Sequence, residues 1–340
     1  MSTTAFEMHM ARTGGTEVLK GREVALPPPG PGEARVAIEA AGVAFADIVM
    51  RTGLYPGVKA PVTPGYDFVG RIEALGPEVE GFAVGQRVAA LTVTGSYATR
   101  RNVQARFLVA APEDVPAEAL VAGVLNGLTA WQMFHRVAGS VAGEWVLVHG
   151  AAGGVGGLLL ELARCAGVKA IGTASAGKRA EVEAKGGVHV DYRAEAVAAR
   201  AIDVSGGGVV AAFDHVGGPH LKKSSLAALR EGGTAVLYGG YDATRGGKLR
   251  PDAILRMLLA DRLSAMGLFS GSRGVVGYNV TSWRDARPAP YREDLAKVLG
   301  LIGEGGLQPR IAKVLPLAEA GEAQALLQSA QLAGKIVLKP

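Results

Sequence analysis

The residues best suited to chemistry cluster between positions 144 and 179. Ala151-Ala152-Gly153-Gly154-Val155-Gly156 has the spacing G-x-G-x-x-G, with alanine in the first glycine's place. At that spacing Gly153 and Gly154 let the backbone approach a pyrophosphate, and Gly156 lets a helix pack closely on a strand. The helix N-terminus then faces the anion. The alternative is a glycine turn with a structural purpose alone. The residues after the second strand separate two cofactors. A site for NAD usually carries Asp or Glu about 20 residues after the glycines, where it accepts the ribose hydroxyls. Here Ala174-Ser175 hold that place, with Gly177, Lys178 and Arg179 just beyond. No carboxylate repels a 2′-phosphate there, and one hydroxyl and two cations can hold it. The charges select NADPH over NADH, unless Lys178 and Arg179 merely begin a solvated helix.

Metal chemistry finds little support in the sequence. There is one cysteine, Cys165, and the six histidines are His9, His135, His149, His189, His215 and His220, with no ligand spacing among them. Catalytic zinc needs three protein ligands in one place, and structural zinc needs four. No metal is expected. Cys165 falls within an expected helix and reads as a small buried hydrophobe. His149 and His215 read as neutral, structural histidines at strand ends. The net charge of +5 comes without a Lys/Arg block, so no nucleic-acid partner is expected. No stretch approaches the ~18 uninterrupted apolar residues of a membrane span, and residues 1–15 lack an apolar signal core. A cytoplasmic protein without a membrane partner is expected.

The elements that must position these residues can be read from periodicity. Residues 145–149 form a short apolar run, 150–157 a glycine turn, 158–166 a helix and 168–173 a second apolar run, which together make one βαβ unit. Further strands are expected at 188–192, 207–213, 234–238 and 263–269, with helices at 195–201 and 221–229. Alternating strands and helices imply a parallel, doubly wound sheet. Before this, residues 1–121 read as a β-rich unit. Strands at 35–41, 68–75, 85–91 and 95–99 lie between Gly/Pro turns, as in a small barrel. A short helix at 45–51 leads into a loop at 53–65 with three prolines. Loops of this length are often functional. Helices are expected at 118–137 and 291–302. The tail, with strands at 312–315 and 335–338 around a helix at 317–329, is expected to return to the first unit.

Several segments together resemble the medium-chain dehydrogenase/reductase superfamily, and within it the zinc-independent, zeta-crystallin-like quinone oxidoreductases. They are GGTEVL at 14–19, PPPGPGEARVAIEAAGV at 27–43, RTGLYP at 51–56, TPGYDFVGRIEALG at 63–76, GLTAW at 127–131, VLVHGAAGGVG at 146–156, GTASAGKR at 172–179 and GKIVLKP at 334–340. They span nearly the whole chain in the right order. The resemblance implies an α/β fold with a GroES-like β-barrel catalytic domain at 1–121 and 273–340 and a Rossmann domain at 122–272. It also implies a homodimer paired through the strand expected at 263–269.

The resemblance assigns roles as well. Gly153, Gly154, Val155 and Gly156 match the pyrophosphate turn, and Ser175 and Lys178 the 2′-phosphate loop. Tyr192 contacts the adenosine end or is a strand-end aromatic half buried in the sheet. Thr129 lies near the nicotinamide or bonds back to its own helical turn. Gly239, Gly240 and Tyr241 come after a strand at the carboxyl edge, where such sheets bind ligands. Leu268 and Phe269 align with a segment beside the nicotinamide. Lys335 reaches the cofactor or is a surface lysine. Tyr55 is the residue expected nearest the chemistry, where a phenol can donate to a carbonyl oxygen as charge develops on it. Asp47 and Arg51 are expected to form a structural ion pair. Zinc alcohol dehydrogenases carry Cys where this chain has Ala44 and His-Glu where it has Tyr66-Asp67. Ala44 has no donor and Tyr66 is a poor zinc ligand.

The expected activity is therefore hydride transfer from NADPH to a quinone or to an α,β-unsaturated carbonyl, without zinc. The alternatives are an enoyl-thioester reductase of polyketide or fatty-acid type, and an NADPH-binding module without turnover.

Overall fold

A computed structural model describes residues 3–140, 142–240, 263–329 and 332–340. The chain divides into two units, Met1–Leu128 with Thr281–Pro340, and Thr129–Val280. In the first, β1 (Thr3–Met10) and β2 (Leu19–Leu26) form an antiparallel hairpin. The organising strand is β3 (Glu33–Val43), whose buried Ala34, Val36, Ile38 and Ala40 alternate along one face. Helix α1 (Phe45–Arg51) comes next. Then come β4 (Asp67–Leu75), β5 (Arg87–Leu91), β6 (Arg100–Gln104) and β7 (Val109–Ala110). Strand β3 pairs with β4 on one side and with β6 on the other. The strand expected at 95–99 is not formed. Gly95 turns the chain at φ +91°, and the strand begins after it, at β6.

Helix α2 (Ala117–Trp131) continues into a π-helical stretch, Gln132–Ala138, which ends at left-handed Gly139. The second unit then alternates strand and helix: β8 (Trp145–Val148), α3 (Gly154–Cys165), β9 (Lys169–Ala174), α4 (Arg179–Ala184), β10 (Gly187–Asp191), α5 (Val197–Ser205), β11 (Val209–Asp214) and β12 (Leu229–Leu237). Helix α6 (Ala265–Ser270) and β13 (Gly274–Gly277) complete it. The six strands lie in the order β10-β9-β8-β11-β12-β13, and all their pairings are parallel. Numbered from β8, that order is 3-2-1-4-5-6, the arrangement of dinucleotide-binding sheets, with its switch point between β8 and β11. Leu147, Ile171, Val190, Ala212 and Ala235 come from five neighbouring strands and pack in one core with Val197, Ala201 and Leu221.

Two expectations fail here. Residues 263–269 are not a strand: the Ser264 hydroxyl accepts from Gly267 N at 3.0 Å and caps a helix. The edge strand is β13, within the unit Thr129–Val280. Cys165 is also exposed rather than buried, at the end of α3.

The remaining elements are α7 (Val280–Ala286), α8 (Pro288–Gly303), β14 (Ile311–Pro316), α9 (Ala320–Ser329) and β15 (Lys335–Lys339). Strand β15 pairs with β3 at Ile336–Val43, Val337–Gly42 and Leu338–Ala41, which returns the tail to the first sheet. Lys335 is not a surface lysine. It is buried and ion-paired at 3.1 Å with buried Asp67. Gly42 leaves room for this pair, since a Cβ there would lie 2.2 Å from Asp67 Oδ1 and 2.4 Å from Lys335 Cε.

Candidate functional site

In the first unit three hydroxyls form a chain. Tyr55 Oη lies 2.7 Å from Tyr66 Oη, which lies 2.5 Å from Thr281 Oγ1. The two tyrosine rings meet edge to face, 6.2 Å apart. Burial lifts the Tyr66 phenol well above its usual range, and a hydrogen bond with Tyr55 adds to the rise, so Tyr66 stays a neutral O–H group. Tyr55 is only half-buried, so its end of the chain meets solvent. The sequence singles out Tyr55 and presents Tyr66 only as a failed zinc ligand. Its place, where zinc-dependent relatives carry a metal ligand, is the signal that its side chain faces the site. Thr281 carries no local signal, because it is 215 residues from Tyr66.

Asp47 fixes the loop that carries Tyr55. It is fully buried and accepts from Ala44 N at 2.8 Å, Gly65 N at 3.1 Å and Tyr97 Oη at 3.0 Å. One carboxylate thus ties down both ends of the segment between residues 44 and 65. Gly65 adopts φ +107°, and a Cβ there would lie 2.5 Å from Tyr97 N, so only glycine suits the corner before Tyr66. The expected Asp47–Arg51 ion pair is not formed. Arg51 instead donates to Gln324 Oε1, the Gly14 carbonyl and Gln328 Oε1, and so ties α1 to α9.

In the second unit the tight bend is made by Gly150 (φ +65°), one residue before the place sought for the motif's first glycine. Helix α3 starts at Gly154, earlier than expected, so Gly154, Val155 and Gly156 form its first turn. A Cβ on Gly156 would lie 2.4 Å from the Gly150 carbonyl oxygen, so the close approach of helix to turn needs glycine. Gly153 precedes the helix and is exposed at its N-terminus. Ser175 comes directly after β9, and Tyr192 directly after β10. The register pairs Asp191 with Ala174, which makes Ser175 and Tyr192 neighbours at the carboxyl edge. Tyr192 is 48% exposed, with the Arg193 guanidinium 5.6 Å from its ring centre. Asp191 accepts from Arg193 N at 3.0 Å and so serves its own turn. Arg179 pairs with Glu183, whereas Lys178 makes no ion pair among the described residues.

Gly239 and Gly240 come after β12 at the same edge. A Cβ on Gly239 would lie 2.7 Å from the His215 carbonyl oxygen, so two carboxyl-end loops touch there. Thr129 is buried in α2. Leu268 and Phe269 do not join this group. Their helix feeds β13 from its amino end, and Phe269 is 79% exposed. Tyr241 lies outside the described residues.

Four side chains to which the sequence assigns no site meet at the switch point. His149 comes just after β8 and Asp214 ends β11, and these strands are neighbours. Ser225 Oγ lies 3.1 Å from His149 Nε2 and donates to Asp214 Oδ2 at 2.5 Å. His220 Nδ1 lies 2.9 Å from the same oxygen. Burial drives the His149 imidazole down to about 3, and the neighbouring His220 lowers it further, so it is neutral. Burial opposes ionisation of Asp214, but hydrogen bonds from His220 and Ser225 and the nearby imidazoles outweigh it and hold Asp214 below the usual carboxylate range. Asp214 Oδ1 also accepts from Val216 N and Gly217 N, shaping the loop after β11.

The zinc of alcohol dehydrogenases does not fit the first unit. Ala44 offers no donor, the Tyr66 hydroxyl is bonded to Tyr55 and Thr281, and Asp67 is paired with Lys335. A pyridine dinucleotide fits the second. The glycine turn leaves the first backbone amides of α3 open to an anion, and β9 ends without a carboxylate beyond it. Sheet order and turn together define a dinucleotide-binding unit. Residues 30–113 match the alcohol dehydrogenase GroES-like domain, and residues 187–338 match the zinc-binding dehydrogenase family. The chain is 32% identical to a probable quinone oxidoreductase of Schizosaccharomyces pombe, over 97% of this chain and 96% of that one. It is 31% identical to a 2-haloacrylate reductase of a Burkholderia species, over 97% of each. Among solved structures, a mycobacterial protein in complex with NADPH superposes with a TM-score of 0.85 at 30% identity, covering 99% of this chain and 100% of that one. The chain belongs to the medium-chain dehydrogenase/reductase superfamily, with quinone oxidoreductases among its homologues.

Asp47 makes the site's support sensitive to pH. Its pKa is raised from 3.8 to about 7, chiefly by burial, against the opposing hydrogen bonds and the charge of Lys335. Folding therefore favours the protonated acid. That contribution is complete below the unfolded value and is lost as pH rises through about 7. Asp47→Asn is neutral at every pH. Between about pH 5 and about pH 8 the wild-type thermal midpoint should fall relative to that of Asp47→Asn. Parallel curves for the two proteins would contradict this assignment.

Proposed function

We propose that the chain is an NADPH-dependent reductase, independent of zinc, that reduces quinones or the conjugated double bond of α,β-unsaturated carbonyls. The observation that carries this reading is the Tyr55–Tyr66–Thr281 hydroxyl chain. Its middle member, Tyr66, matches a position where zinc alcohol dehydrogenases carry a metal ligand, so the site offers hydrogen-bond donors in place of a Lewis acid. The names of the S. pombe and Burkholderia relatives support the same substrate classes.

When bound, NADPH supplies the hydride. The protein's own part is to bind, orient and stabilise. The first turn of α3 and the glycine turn hold the pyrophosphate, and Ser175, Lys178 and Tyr192 hold the 2′-phosphate and adenosine end. Tyr55 donates to the substrate oxygen on which negative charge grows as the β-carbon, or the quinone ring, accepts hydride. Tyr66 and Thr281 orient the Tyr55 hydroxyl from behind. A proton from water then completes the reduced product. Positioning and fixed dipoles carry most of the rate.

The cofactor assignment is tested at Lys178. Lys178→Ala should weaken NADPH binding by about 10- to 150-fold, the loss of one charged hydrogen bond, and leave NADH nearly unchanged. Equal losses for both cofactors would remove Lys178 from the phosphate site.

A panel of 1,2-naphthoquinone, phenanthrenequinone, an alkenal and crotonyl-CoA, monitored by NADPH absorbance, tests the substrate class. Turnover of quinone or alkenal should persist in chelator and fall by about 10²- to 10³-fold in Tyr55→Phe, as for the loss of one oxyanion donor. Turnover of crotonyl-CoA alone would instead make the chain an enoyl-thioester reductase. Tight NADPH binding without any turnover would make it a binding module.

A further inference from the structure

We propose that His149, Asp214 and His220 form a binding site for one divalent transition-metal ion of zinc-like preference, at the switch point of the parallel sheet. Spacing along the chain does not announce it, because His149 is remote in sequence from Asp214 and His220 and is brought to them by the pairing of β8 with β11. Their donor atoms, one from each residue, all lie within 4.8 Å of one another. Ser225 Oγ, 3.1 Å from His149 Nε2 and 2.5 Å from Asp214 Oδ2, is a fourth polar atom at the same place. A tetrahedral ion with ligand bonds of about 2.0–2.1 Å separates its donors by about 3.3 Å. The donors need shifts of about an ångström or less to meet that spacing. Two imidazoles and a carboxylate are the ligand types zinc takes, and nickel and copper accept the same set.

The present hydrogen bonds show how the ion would be accommodated. A serine hydroxyl has one proton, and Ser225 gives it to Asp214, so the proton between Ser225 and His149 belongs to His149 Nε2. Thr173 Oγ1, 3.4 Å from His149 Nδ1, is placed to accept a hydrogen bond from that nitrogen when the imidazole changes tautomer and frees Nε2. A carboxylate can only accept, so His220 Nδ1 now donates to Asp214. Metal binding at Nδ1 displaces this proton from the bond to Asp214, and the neutral ring then carries its proton at Nε2. His149, Asp214 and Ser225 are buried, which holds the site dry, while the His220 side chain is 27% exposed and gives the ion a way in. The proposed reductase chemistry makes no use of this ion.

The test is a titration of the full-length protein, stripped of metal with chelator, with zinc chloride by calorimetry and with cobalt(II) by visible absorption. One equivalent should bind, cobalt should show the intense bands of tetrahedral coordination, and zinc should raise the thermal midpoint. His220→Ala should lose at least about tenfold in affinity, a loss seen even for outer-shell partners. His220→Asn can still donate to Asp214 and guards against a folding defect, and it should show the same loss. His9→Ala, in the other unit, should bind as wild type does. Absence of saturable binding, octahedral cobalt spectra, or wild-type affinity in both His220 variants would overturn the proposal.

Discussion

The ion pair between Asp67 and Lys335 is the constraint on which the first unit turns. Both side chains are buried, and removal of one partner from such a pair costs about 3–5 kcal/mol because the other charge is left uncompensated. Asp67 begins β4 and Lys335 begins β15, so the pair locks the C-terminal tail into the sheet built from the N-terminal chain. Asp67 also accepts from Leu125 N, which brings α2 to the same point. Tyr66 stands immediately before Asp67. The residue that carries the hydroxyl chain is therefore anchored by the contact that closes the unit.

On the proposed function, this arrangement lets a fold known for metal catalysis work with hydroxyls. Ala44 and Tyr66 remove two zinc ligands, and Lys335 neutralises a third candidate, Asp67. What remains at the position is a donor chain whose innermost member, Tyr66, is kept neutral by burial. Such a chain stabilises a developing oxyanion but does little to ionise an alcohol. The geometry suits reduction of a substrate that is already electrophilic. In the second unit the complementary constraint is steric. Gly150, Gly156 and Gly239 stand where neighbouring atoms approach too closely for a Cβ, and together they bring the carboxyl-edge loops and α3 to the switch point.

Much of this was legible in the sequence, for physical reasons that differ by residue. Apolar runs such as 146–148 announced buried parallel strands, and the glycines between 150 and 157 announced a turn that no other residue could make. Helix capping decided what hydropathy could not. Residues 263–269 look like a strand by composition, yet Ser264 caps a helix there, and Leu268 and Phe269 lose their assigned place. Long-range polar partners were the least legible. Nothing local in Asp47 shows that it bonds Gly65 and Tyr97 rather than Arg51, and nothing in Thr281 shows that it meets Tyr66. The histidines looked scattered because the pairing of β8 with β11, which brings His149 to Asp214 and His220, is a property of sheet order.

If the protein directs hydride to a conjugated carbon while hydroxyl donors hold the oxygen, the carbon that receives the hydride decides the matter. The most direct measurement is reduction of an alkenal with NADPH deuterated at C4 of the nicotinamide, with the label located by NMR. Deuterium is expected on the β-carbon of a saturated aldehyde. Deuterium on the carbonyl carbon of an allylic alcohol would contradict this mechanism.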